Sequence, residues 1–389
     1  MYGRSLFSKG PPQTSCFVFG ARQTGKTTLL QTLDTALHYD LLRNQEFVRL
    51  NREPDIVFNE CAKVSSGGKK FVWIDEVQKI PRLLDVVHRA IEAFPHIDFI
   101  LSGSSARKLR QDGVNLLGGR ALSYRLHPLT MEELGDHFDH EAAVHIGTLP
   151  KVYSLHRDGK HELTHGHLRS YVSLYLEEEI KKEALVRDLQ PFQRFLEVAG
   201  QIAGQPVNVS KIADESQISH TAATNYFSIL EDTLIGFFLP AYHTSVRKQL
   251  VKQSKFYFFD NGVYRAIQGS LGAPSVGLEK GVLHEQFIVQ EIRRVCDYAD
   301  KHFKFYFWRT EAGAEVDLLV CRGAKILLAV ECKASAHIHK RDLSGLRAFK
   351  KDYPKTPTIV CAPVERPIQV DTGFDALPLG ETLKMVKSL

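Results

Sequence analysis

Nine consecutive residues, Gly20-Ala-Arg-Gln-Thr-Gly25-Lys26-Thr27-Thr28, constrain this chain more than any other stretch. They match GxxxxGK[ST], and the context is the one that pattern needs. An apolar run at 16–20 reads as a strand, and Leu29, Leu30, Leu33 and Leu37 predict a helix over 26–38. Glycines at such a turn let backbone N–H groups curl around phosphate oxygens, and the helix N-terminus adds the positive end of its dipole. Gly20, Gln23, Thr24, Gly25, Lys26, Thr27 and Thr28 are therefore expected to cradle a nucleotide. Lys26 would reach the β- and γ-phosphates, and the Thr27 hydroxyl would ligate Mg²⁺.

A second element lies at a sensible distance. Phe71-Val-Trp-Ile-Asp75-Glu76 is an apolar strand ending in two acids, a Walker-B pattern. Asp75 is expected to hold Mg²⁺ and Glu76 to orient the water that attacks the γ-phosphate. Residues 97–102 form a further apolar strand running into Ser102-Gly-Ser104. Strand ends face the ligand crevice of a parallel sheet, so a hydroxyl there would sense the γ-phosphate or cap the next helix. Ser104 is the nucleotide-contact candidate, with Ser102 competing for the role. Arg120 follows Gly118-Gly119 on a turn and reads as either an arginine finger for a neighbouring subunit or a solvated side chain. Helices are expected at 82–93, and strands at 47–50 and 71–75. This alternation predicts a parallel α/β sheet.

These residues, together with Leu126-His-Pro-Leu-Thr-Met-Glu-Glu133, resemble AAA+-type ATPases, and more narrowly the group in which that module precedes a DUF4143 region. Gly147-Thr148-Leu149-Pro150 departs slightly from the Gly-Gly that the group usually carries there. The resemblance implies three parts. Residues 1–145 would be an AAA+-like P-loop domain, 146–245 a helical lid and winged-helix-like segment, and 246–389 an α/β nuclease-like domain. It also implies a homo-oligomer, with a hexamer among the options.

The middle segment reads as mostly helical, with helix-turn-helix spacing across 208–232. Lys211, His220, Thr221, Thr224 and Asn225 would be its DNA-facing residues, with Arg247, Lys248, Lys252 and Lys255 as further phosphate contacts. A hairpin used only for packing has the same spacing. The acidic and basic run at 177–183 reads as a solvated helix face. Polar stretches at 156–167 and 269–281 read as linkers.

The last third returns to strands. Glu331 and Lys333 close one apolar strand, Asp317 sits inside another, and Glu285 lies on the apolar face of a helix. A carboxylate in such a place needs a partner or a metal. The order helix-Glu, strand-Asp, strand-Glu-x-Lys resembles the PD-(D/E)xK nuclease superfamily. That resemblance implies Mg²⁺ on Glu285, Asp317 and Glu331, with Lys333 orienting the attacking water. A salt-bridged Glu–Lys pair in an inactive nuclease fold is the alternative. The run 303–308 alternates Lys with aromatics, as a base-stacking surface or a core strand would.

Composition narrows the classes. The chain has 389 residues, 43% hydrophobic and 24% charged, which excludes collagen-like and disordered chains. Six scattered cysteines form no CxxC pair, no apolar run is long enough for a membrane span, and no leader is evident, so a cytoplasmic location is expected. The charge balance, 50 − 45 = +5, permits nucleic-acid binding without arguing for it. The leading expectation is an ATPase, with ATP and Mg²⁺ as cofactors, that processes DNA and cuts it through a Mg²⁺-dependent deoxyribonuclease domain. The rival is an ATP-driven assembly switch whose last domain only binds DNA or protein. A small-molecule kinase is a remoter third class.

Overall fold

The computed structural model describes residues 2–105, 117–176, 189–243 and 253–389. The run at 177–183 and Arg247, Lys248 and Lys252 lie outside the described residues.

The N-terminal sheet has five parallel strands in the order β2-β3-β4-β1-β5. These are β1 (Cys16–Phe19), β2 (Thr35–Asp40), β3 (Lys70–Asp75), β4 (Ile97–Gly103) and β5 (Leu122–Arg125). β1, β3 and β4 are largely buried because neighbouring strands flank them and other elements cover their faces. Phe19 pairs with Gly103 and Ile74 with Leu101, so the loops after β1, β3 and β4 emerge side by side.

Two local expectations were overturned here. The helix expected over 26–38 ends at Leu30, and β2 begins at Thr35. Leu33 and Leu37 keep helical spacing from Leu29 and Leu30. From Thr35 onward, though, burial alternates with a period of two, with Tyr39 inward. The strand expected at 47–50 is instead the helix Asn44–Arg52. Phe47 and Leu50 are three residues apart and share a face, and Glu46 pairs with Arg49 along the same helix.

The middle segment is helical, including Pro150–Arg157 and His161–Ser170 where a linker was expected. Gln190–Gln201, Val209–Glu215 and His220–Asp232 follow. Asn208 caps the second of these three and Ser219 the third, each side chain accepting a backbone N–H three residues on. β6 (Gly236–Leu239) then pairs antiparallel with β7 (Lys255–Phe258). β7, which follows the boundary expected near 245, is the second strand of this pair.

A 22-residue helix, Gly277–Tyr298, leads into the C-terminal sheet. That sheet is mixed, ordered β12-β13-β11-β10-β9-β8. Its strands are β8 (Lys304–Arg309), β9 (Glu315–Arg322), β10 (Lys325–Cys332), β11 (Thr358–Cys361), β12 (Ile368–Asp371) and β13 (Phe374–Leu377). The run at 303–308 is mainly strand β8, with Phe307 and Trp308 buried. One core cluster contains Leu129, Phe195, Phe227, Phe256, Phe287 and Val330, and so runs through the middle segment into the last sheet. Among the described residues, no helix is long and apolar enough to cross a membrane.

Candidate functional sites

The loop after β1 ends at Gly25, which has φ of +92° and caps the helix Lys26–Leu30. A β-carbon on Gly20 would lie 2.5 Å from the Leu126 carbonyl oxygen, so only glycine allows that close approach. Gln23 also takes a positive φ. Thr24 Oγ1 donates to the Ala21 carbonyl at 2.8 Å. Lys26 Nζ donates to the carbonyls of Gly20 at 2.5 Å and Ala21 at 3.2 Å, folded over the loop's own oxygens. Thr28 lines the wall of an adjoining cavity.

The strand ends bring the partners in. Thr27 Oγ1 donates to Asp75 Oδ2 at 3.5 Å, and Ser102 Oγ donates to Asp75 Oδ1 at 2.5 Å. Ser102 in turn accepts from Trp73 Nε1 at 2.8 Å. Glu76 stands in the left-handed region, φ 57°, which turns its carboxylate toward Gln78. Gln78 Nε2 also donates to Ser104 Oγ at 3.1 Å. Of the two serines that compete for one role in the sequence, Ser102 holds Asp75 and Ser104 holds Gln78 beside Glu76. Gln78 was missed in the sequence, although it lies only two residues past the acidic pair.

Arg120 donates to Glu92 at 2.8 Å and is partly exposed. Leu122 pairs with Cys16, so Arg120 lies at the far end of β5 from its own phosphate loop. Arg4, also missed, reaches the loop directly. Its guanidinium donates to the carbonyls of Thr24 at 2.7 Å and His127 at 2.6 Å, to Glu133 Oε1 at 3.1 Å and to the Tyr298 hydroxyl at 3.1 Å. Beside it lies a cavity of about 790 Å³ lined by Tyr2, Gly25, Thr28, Leu33 and Arg157, among others. The Arg157 guanidinium lies 5.6 Å from the centre of the Tyr2 ring.

The second site is an acidic centre in the last domain. The antiparallel register Leu318↔Val330 puts Asp317 opposite Glu331, and Glu285 reaches the same space from the long helix. Asp317 Oδ2 accepts the Cys332 N–H at 2.7 Å, and Glu331 Oε1 accepts Lys333 Nζ at 2.8 Å. Lys255 comes from β7 with its side chain only 2% exposed. Its Nζ lies 2.8 Å from Glu285 Oε1, 2.6 Å from Glu315 Oε1 and 3.9 Å from Asp317 Oδ1. The Tyr257 hydroxyl donates to the same Glu285 oxygen. Glu331 Oε2 is buried with no hydrogen-bond partner among the described residues.

Burial, reinforced by Asp317, raises the Glu285 carboxyl to about 7 against the pull of Lys255. Burial and Asp317 likewise push Glu331 well above the carboxylate range, against the pull of Lys333. Burial disfavours the Lys255 ammonium, but Tyr257 and the carboxylates of Glu285, Asp317 and Glu315 outweigh it and keep the group charged. Glu315, two residues before Asp317 on the same strand face, was the legible hint that sequence reading passed over. Among the described residues, no three His, Cys, Asp or Glu side chains are arranged to hold a metal ion. With an ammonium between the acids, this donor set does not fit the Mg²⁺ expected for it.

The DNA-facing candidates Lys211, His220, Thr221, Thr224 and Asn225 are all exposed, as expected of a contact face or of an ordinary helix surface. Lys211 Nζ lies 3.6 Å from Glu215 Oε1 on the same exposed helix. Beside Lys333 there is a concavity of about 340 Å³ whose lining includes Lys280, His337, His339 and Arg341.

Family models match three stretches of the chain. Residues 13–135 match the family model of an AAA domain, 138–274 that of a domain of unknown function, DUF8612, and 280–382 that of a second, DUF4143. The chain thus carries an AAA-type P-loop domain and a DUF4143 region. An uncharacterized protein of Mycobacterium tuberculosis is 23% identical over 307 residues, covering 77% of this chain. The chain spans 66% of that relative's length. An uncharacterized protein of Haemophilus influenzae is 23% identical over 283 residues, covering 66% of this chain and 70% of its own. A Walker-type ATPase of Pyrococcus abyssi aligns with a TM-score of 0.46 at 15% identity, over 65% of this chain and 90% of that one.

Proposed function

We propose that this chain is an ATP-hydrolysing, DNA-handling protein, in which a P-loop switch governs a C-terminal domain that grips nucleic acid. The observation that carries the ATP reading is the meeting of Thr27, Asp75, Ser102 and Glu76 at adjacent strand ends beside the Gly25 helix start. Lys26 would exchange the Gly20 and Ala21 carbonyls for the β- and γ-phosphates. Thr27 and Asp75, a hydroxyl and a carboxylate in contact, suit a hard divalent ion, which would neutralise charge developing on the phosphates. Ser102 fixes the Asp75 carboxylate. Glu76, held through Gln78, would take up the proton of the attacking water. The cavity lined by Tyr2 and Arg157 would take the base and sugar. Arg120, pointing away from its own loop, would complete the site of a neighbouring copy in a homo-oligomer.

Two features support the DNA reading. The two helices Val209–Glu215 and His220–Asp232, followed by the antiparallel pair β6–β7, would serve as a winged helix. The concavity lined by Lys280, Lys333, His337, His339 and Arg341, with Asp342 among them, has more basic than acidic groups and suits a phosphodiester backbone. Because the acidic centre does not fit Mg²⁺, no cleavage step is assigned to it, and binding without cutting is the reading favoured for this domain. The long helix links the two ends. Tyr298 touches Arg4 and the His127 backbone beside the phosphate loop. Glu285, about 20 Å along the helix, enters the acidic centre.

Single-stranded DNA binding measured against salt tests this reading. The wild type should bind with an affinity that falls as salt rises. The double variant Lys280→Ala/Arg341→Ala should bind at least about tenfold more weakly, with a salt slope shallower by roughly 1–2. Equal affinity and slope would remove this concavity from the account.

A further inference from the structure

We propose that Lys255 is the resident cation of the C-terminal acidic centre, standing where a divalent ion would sit and keeping the centre from taking one.

Four carboxylates, Glu285, Glu315, Asp317 and Glu331, meet three cations, Lys255, Lys333 and Arg309. An incoming divalent ion would overcharge a buried centre unless it expelled an existing cation, and buried unpaired charge is strongly disfavoured.

The oxygens give the same answer. A hard ion needs several of them converging at about 2.0–2.6 Å. Glu285 Oε1 is taken by Lys255 and Tyr257, and Glu315 Oε1 by Lys255. Asp317 Oδ2 is taken by the Cys332 N–H and Glu331 Oε1 by Lys333, while Asp317 Oδ1 faces Lys255. Glu315 Oε2 lies 3.6 Å from Arg309, which leaves Glu331 Oε2 and Glu285 Oε2, fewer oxygens than a hard ion needs.

Lys255 is also hard to expel. Its backbone belongs to β7, its ammonium lies 5.4 Å from the centre of the Phe307 ring, and it has almost no path to solvent. The cation is delivered by the hairpin that precedes this domain. The hairpin's seating therefore decides whether the centre is open. None of this depends on the ATP reading; a chain that hydrolysed no ATP would leave it standing.

The test is Mn²⁺ binding to the full-length chain without nucleotide, followed by the paramagnetic resonance of free Mn²⁺. Wild type, Asp317→Asn and Glu331→Gln should retain the same amount of ion. Lys255→Met should gain one Mn²⁺ per chain, at least tenfold tighter than any weak binding in the wild type, and lose it again when Asp317→Asn is added. A wild-type site that disappears in Asp317→Asn or Glu331→Gln would overturn the proposal, as would a folded Lys255→Met that gains nothing. Should Lys255→Met fail to fold, the wild-type comparison decides alone.

Discussion

Glu76→Gln is expected to leave nucleotide binding within about twofold of the wild type while lowering ATP turnover by roughly 10²–10⁴-fold, the usual contribution of a positioned general base. The substitution keeps size and shape. Glutamine can hold the left-handed backbone at this position about as well as glutamate, and its amide oxygen can still accept from Gln78 Nε2. Asp75, Thr27 and Lys26 are untouched, so the groups assigned to binding remain. What disappears is the carboxylate that would receive a proton from water. Equilibrium binding of a fluorescent ATP analogue, with phosphate release measured in parallel, separates the two effects. Undiminished release would take Glu76 out of the chemistry. Loss of binding together with turnover would mean that the residue only shapes the loop.

Arg294→Met should destabilise the chain by about 3–5 kcal/mol, the range for removing one partner of a buried pair. Arg294 and Glu291 are 3% and 0% exposed and lie 2.9 Å apart. The same guanidinium donates to Thr148 Oγ1 at 3.0 Å and the Phe259 carbonyl at 2.7 Å, while Glu291 Oε2 accepts the Met131 N–H at 2.8 Å. One side chain thus joins the segment after the P-loop domain, the end of β7 and the long helix. Methionine fills much of the volume but leaves Glu291, whose carboxyl burial already pushes upward, without its counter-charge. Urea unfolding should show the loss, and Arg294→Met/Glu291→Gln should recover part of it. A single variant within about 1 kcal/mol of wild type would mean that water or another group replaces the arginine.

Features resting on short, local patterns were readable in advance. The glycines and Lys26-Thr27 fall within nine residues, and β3 and β4 end in polar groups as their apolar runs require. The convergence of Glu285, Asp317 and Glu331 was also legible, because a carboxylate on an apolar strand or helix face must be paired, hydrogen-bonded or bound to a metal. What escaped was non-local. Lys255 opens a run of aromatics, and nothing in its neighbourhood says that its ammonium crosses to acids 30 to 62 residues away. Arg4 is similarly opaque, since its partners lie 20 to 294 residues off. The misread helix and strand near 26–50 failed for a different reason. Leucines at 29, 30, 33 and 37 satisfy a helical period, and only the sheet's demand for an edge strand turns the chain at Leu33.

Phosphate release from MgATP by the purified full-length chain, wild type beside Lys26→Ala, tests the central claim most directly. The wild type should turn over steadily, and Lys26→Ala, without the ammonium assigned to the β- and γ-phosphates, should fall to background. Equal release from the two proteins, or none from a wild type that binds ATP, would contradict the account.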